Sequence, residues 1–87
     1  KLPHIGWNYI KLNKNKIFKN IKSNNTFYFC HSYYVKPSNT KNIIGKTFYN
    51  KTQFCSVINK NKIYGCQFHP ERSGSAGSQF LNNFNNL

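Results

Sequence analysis

Eighty-seven residues carry thirteen Lys or Arg against a single acidic side chain, a formal net charge of +12 at pH 7. That length holds one small domain with a limited core, yet 38% apolar and 17% aromatic residues exclude a disordered tail, because so much apolar surface supports packing. No run of about 18 apolar residues and no leader pattern is present, so a membrane-spanning helix is excluded within this stretch. Three Cys without C-x-x-C spacing add the expectation of a soluble chain in a reducing, cytoplasmic compartment.

A dense positive field attracts polyanions, but the Lys residues are spread from Lys1 to Lys62 and Asn interrupts nearly every cluster. Enrichment in Asn, Lys, Ile, Phe and Tyr is what an AT-rich coding sequence gives. Compositional bias is therefore preferred, and a small basic nucleic-acid-binding module is kept as the alternative. A sequence with no Met that opens Lys1-Leu2-Pro3 reads as a piece of a longer protein.

In chain order, Pro3 to Ile10 reads as a short extended segment, with Gly6 allowing close backbone approach. Residues 11–25 are rich in Lys and Asn around Ile17, Phe18 and Ile21 and are read as a solvated, inserted loop. Thr26 to Val35 is the clearest strand, and its continuous apolar run predicts a central strand covered on both faces. Phe48-Tyr49, Gln53 to Ile58 and Ile63 to Phe68 are further strands, the last two joined in a hairpin through Asn59-Lys60-Asn61-Lys62. Ser73-Gly74-Ser75 supplies helix N-cap candidates, and Ala76, Phe80, Leu81, Phe84 and Leu87 share one helical face.

The one carboxylate, Glu71, follows His69 by two positions in Gln67-Phe68-His69-Pro70-Glu71-Arg72-Ser73. An imidazole held by a carboxylate is the base half of a nucleophilic triad, since the acid fixes the tautomer and stabilises the imidazolium. Pro70 fixes one backbone dihedral between them. The plainer reading, a loop His beside a Glu favoured by a helix N-terminus, stays open on these residues alone. No Gly-x-Cys-x-Gly or Gly-x-Ser-x-Gly elbow is present to supply a nucleophile. Cys30, Cys55 and Cys66 are expected as buried small hydrophobes. No paired metal-ligand framework occurs, so no metal is expected, and Lys62 to Phe68 matches an RNA-binding RNP1 strand too poorly to argue from.

Three blocks, in order, carry a resemblance to the class I glutamine amidotransferases, and within them to the glutaminase subunits of imidazole glycerol phosphate synthase. They are Pro3-His4-Ile5-Gly6-Trp7-Asn8, Phe27-Tyr28-Phe29-Cys30-His31-Ser32-Tyr33, and Gly65-Cys66-Gln67-Phe68-His69-Pro70-Glu71-Arg72-Ser73-Gly74. The resemblance implies an α/β fold: residues 1–87 would be the C-terminal part of one three-layer amidotransferase domain, several strands including a hairpin plus a C-terminal helix. It gives His69 and Glu71 the catalytic His and Glu roles, and His31, Ser32 and Tyr33 a border on bound glutamine. Pro3, His4, Gly6, Trp7, Asn8, Tyr28 and Arg72 would lie near a cyclase partner, a (β/α)8 barrel that receives ammonia, in a heterodimer. No cofactor is implied. The family's nucleophile and oxyanion loop lie upstream of these blocks, so the 87 residues alone are expected to be inactive. A non-catalytic partner-binding remnant is a further alternative.

Overall fold

The computed structural model describes residues 3–87. Six strands, β1 (His4–Tyr9), β2 (Lys11–Leu12), β3 (Thr26–His31), β4 (Ile43–Tyr49), β5 (Thr52–Lys60) and β6 (Ile63–Cys66), precede one helix, α1 (Gly74–Asn85). Short 3-10 turns lie at Lys16–Phe18, Thr40–Asn42 and Pro70–Arg72. The strands form two antiparallel sheets, β1-β3 and β2-β4-β5-β6, giving the mixed α/β architecture expected from the sequence.

Asn residues set the hairpins. Asn50 and Lys51, at φ 50° and 65°, form the two-residue connection between β4 and β5, where left-handed residues match the twist of the paired strands. The expected hairpin between β5 and β6 is present, with Lys60 opposite Ile63 and Asn61 at φ 56°. There the Asn59 side-chain amide donates to Asn61 O (2.9 Å) and Ile63 O (3.1 Å).

The strand covered on both faces is β5, with Phe54, Cys55, Ser56 and Val57 buried in succession, not β3 as the sequence suggested. In β3 burial alternates: Phe27 and Phe29 point into the core, while Tyr28 is half-buried and Cys30 exposed. The unbroken apolar run concealed this alternation because both faces carry large or soft side chains. The strand also ends at His31 rather than Val35. One antiparallel bridge, Phe29 to Phe68, joins it to the segment after β6.

Residues 11–25 are likewise not a purely solvated loop. Asn15 accepts from Ile17 N (3.0 Å) and so caps the 3-10 turn, which turns Ile17 and Phe18 inward; with Ile21 they are buried core residues. This segment covers α1: Phe18 packs near Phe80, and the Asn83 amide donates to Ile17 O and Lys19 O, both at 2.7 Å. The buried stripe of α1 is therefore Ala76, Gly77, Phe80 and Asn83. Leu81, Phe84 and Leu87, expected to share it, are exposed, because the stripe runs through 76, 80 and 83 and leaves 81 and 84 on its outer flank.

Candidate active site

The His-Pro-Glu turn is built by anchoring its ends. Phe68 is buried at the bridge to β3, and the next amide, His69 N, donates to Tyr28 O at 2.9 Å. Pro70 then opens the 3-10 turn, where a missing N–H costs nothing. Ser73 closes it. Ser73 occupies the N-cap position of α1 as the sequence indicated, but makes no side-chain capping bond. Its buried hydroxyl instead donates to His69 O (2.6 Å) and accepts from Tyr28 N (2.9 Å). Thus both backbone polar groups of His69 are pinned to fixed partners. Gly77 completes the packing, since a Cβ there would collide with the carbonyl of Pro70. The helix can approach the turn only because residue 77 has no side chain.

On this base, His69 Nδ1 lies 3.1 Å from Glu71 Oε2, with side chains 39% and 63% exposed. A carboxylate only accepts, so Nδ1 carries the hydrogen and the Nε2 lone pair is left to bind a proton. Nε2 has no hydrogen-bond partner among the described residues. The Glu71 carboxyl is held below the usual range by its own backbone N–H first and by the His69 hydrogen bond second, so it is ionised at neutral pH. The pair can take up and release a proton in a fixed direction.

None of the three thiols completes a nucleophile–base pair here, as no Cys is hydrogen-bonded to His69 among the described residues. Burial pushes the Cys55 thiol up. Loss of solvent around the sulfur, followed by the Glu71 charge, pushes Cys66 up to about 11, away from thiolate formation at neutral pH. Cys55 is buried as expected, whereas Cys30 and Cys66 are exposed as residues, because Cys30 lies on the outer face of β3 and Cys66 ends the edge strand β6. Among the described residues no cluster of three or more His, Cys, Asp or Glu side chains could hold a metal ion.

A second polar group lies on the opposite face of the β1-β3 sheet. His4 and His31 are cross-strand partners, with His4 Nδ1 3.1 Å from His31 Nε2. His31 Nδ1 is 2.9 Å from Tyr33 O, and Asn8 Nδ2 is 3.4 Å from His4 Nε2 and 3.0 Å from Phe48 O. His4 is buried and stacked between Phe29 and Tyr49. Ser32 and Tyr33 are exposed. Because the bridge at Phe29 and Phe68 is antiparallel, β3 carries His31 away from His69, and the two His are not brought together.

The seven residues singled out for a partner face divide. Trp7, Tyr28 and Arg72 share the open side of the β1-β3 sheet: Trp7 meets Tyr28 edge-on at 5.8 Å, and Arg72 Cζ lies 5.1 Å over the Tyr28 ring. Pro3 is exposed. His4 and Asn8 turn inward and present their side chains to the second group. Gly6 sits at φ 134° with nothing within 4 Å of an added Cβ, so its glycine answers a backbone conformation and not the close approach expected from the sequence. The His4–His31 contact, the two hydrogen bonds of the Ser73 hydroxyl and the close packing at Gly77 were not legible in the sequence. The first joins residues 27 positions apart, for which spacing gives no signal.

The family model "Glutamine amidotransferase class-I" matches residues 1–86. The chain belongs to that family. As a class-I glutamine amidotransferase it has curated relatives called imidazole glycerol phosphate synthase subunit HisH 2 in Methanococcus maripaludis, 48% identical over 85 residues, and subunit HisH in Methanocaldococcus jannaschii, 49% identical over 85 residues; each alignment covers 97% of this chain and 42% of the relative. Subunit HisH of Buchnera aphidicola subsp. Acyrthosiphon pisum is 52% identical over 84 residues, 95% of this chain and 41% of that protein. The chain spans about two fifths of the length of these relatives. No helix among the described residues is long and apolar enough to cross a membrane.

Proposed function

We propose that residues 1–87 are the C-terminal portion of a glutaminase domain and supply its base. In the complete protein the domain would hydrolyse glutamine and pass ammonia to a cyclase subunit that forms imidazole glycerol phosphate in histidine biosynthesis. The observation that carries this reading is the His69–Glu71 pair at 3.1 Å, held on a pinned turn and leaving Nε2 free, in a chain whose relatives are named as subunits of that synthase.

The geometry supports the following chemistry. His69, already holding a proton at Nδ1 through Glu71, takes at Nε2 the proton of a thiol contributed from outside these 87 residues; the thiolate so formed attacks the glutamine side-chain amide, and Nε2 gives that proton to the departing ammonia. Water, deprotonated by the same Nε2, then cleaves the thioester and releases glutamate. His31, the last residue of β3, and the exposed Ser32 and Tyr33 that follow it would border the amino-acid head of glutamine. The open face of Trp7, Tyr28 and Arg72 suits a (β/α)8-barrel cyclase partner, since aromatic and Arg anchors dominate such interfaces. The setting would be cytoplasmic, and the 87 residues alone inactive.

Replacing His69 by Ala in the complete protein is expected to abolish glutamine hydrolysis. Turnover at the wild-type rate by that variant would overturn the reading.

A further inference from the structure

The second polar group fixes its own proton positions. At one end, the Asn8 side-chain oxygen accepts from Tyr9 N at 2.7 Å, so its amide nitrogen faces Phe48 O (3.0 Å) and His4 Nε2 (3.4 Å). An NH2 group only donates, which makes His4 Nε2 an acceptor and places the hydrogen of neutral His4 on Nδ1. At the other end, His31 Nδ1 faces the Tyr33 carbonyl at 2.9 Å and must carry a hydrogen, so His31 Nε2 accepts. The central contact, His4 Nδ1 to His31 Nε2 at 3.1 Å, is then a donor meeting an acceptor. Every step runs one way, from Asn8 through His4 and His31 to Tyr33 O.

The plane of the His4 ring is fixed by its neighbours. It is stacked on Phe29 at 4.7 Å and on Tyr49 at 4.0 Å, nearly parallel to both, and Phe54 closes its edge at 5.7 Å. His31, by contrast, is only half-buried and leads directly into exposed Ser32 and Tyr33. An oriented buried ring therefore holds an accessible ring, and that ring holds a carbonyl of the loop.

Resting on the reading above, in which residues 31–33 border glutamine, we infer that His4 is a positioning residue for glutamine binding. Its Nδ1–H fixes the tautomer and plane of His31, whose own Nδ1–H clamps the Tyr33 carbonyl and so sets the backbone offered to the substrate.

The test uses the complete protein. Nitrogen-15 NMR of the imidazoles should show both His4 and His31 carrying hydrogen on Nδ1 with Nε2 bare; hydrogen on His31 Nε2 would overturn the inference without any variant being made. His4→Phe keeps the stacked ring but removes the donor, and should raise the KM for glutamine about 10-fold with kcat changed less, the scale of one lost hydrogen bond. His4→Asn, whose amide can donate from near the Nδ1 position, should return KM to within about 3-fold of wild type. An active wild type with an unaltered KM in a folded His4→Phe variant sinks the role of His4 alone. Absence of glutaminase activity in the wild type sinks the functional reading instead, and with it this use of the relay.

Discussion

At the residue scale, two His occupy opposite electrostatic situations, and the difference decides what each can do. His69 is a third or more exposed and meets the only acidic side chain of the chain; His4 is buried among aromatic rings, and the charge that acts on it is that of His31. Glu71→Gln should therefore lower glutamine turnover less than His69→Ala does, because a hydrogen-bonding group remains while the charge that favours imidazolium is lost. Turnover equal to wild type in Glu71→Gln would argue against an orienting role. Burial, and secondarily His31, hold His4 down to about 4 from its ordinary 6.5. The titratable neighbours are His31 from β3 and Tyr49 from β4. Between those two values the unfolded chain binds a proton that the folded chain does not, so this group's stabilisation is complete above pH 6.5 and is lost as pH falls toward about 4. Denaturant midpoints measured from pH 7 to pH 4.5 should fall less steeply in His4→Phe than in wild type; parallel profiles would show that His4 does not titrate this way.

At the element scale, the turn bearing His69 is positioned by α1 and β3 together. Ser73→Ala removes the donor to His69 O and the acceptor for Tyr28 N in a buried site, a loss of about 1–3 kcal/mol when a buried N–H is left unpaired. Thermal or denaturant unfolding should register that cost, and glutamine turnover should fall with it because His69, the proposed base, is no longer held from both sides. Gly77→Ala gives a sharper sign. Within a helix that change ordinarily gains about 0.5–1 kcal/mol, but here the new methyl meets the Pro70 carbonyl and Ser73 Cβ. Overpacking of this kind costs about 1–3 kcal/mol, so destabilisation is expected, and a stabilised Gly77→Ala protein would show that α1 sits farther from the turn.

At the scale of the whole molecule, what could be read from the sequence was what is local along the chain. His69, Pro70 and Glu71 are neighbours, so their pairing was legible, as were the β5–β6 hairpin and the closing helix. The inward role of Ile17, Phe18 and Ile21 was not, because Asn and Lys surround them and only docking against α1 reveals the buried face. The same holds for β1, where alternate residues face two ways: His4 and Asn8 reach His31 and Phe48 O, while Ile5, Trp7 and Tyr9 remain 60%, 55% and 57% exposed. Three neighbouring apolar or aromatic side chains lie open on one sheet face, flanked by the Arg72–Tyr28 stack, the kind of surface on which partners dock. In the proposed function that face meets the cyclase subunit. Trp7→Ala should then weaken association between the complete protein and the cyclase about 10-fold or more, the usual cost of truncating an aromatic anchor, while its exposure predicts little change in unfolding midpoint. His69→Ala, placed beyond the Tyr28 ring, should bind the cyclase as wild type does. Calorimetric titration of the two variants separates interface from chemistry, and undiminished cyclase binding by Trp7→Ala would move the partner to another face.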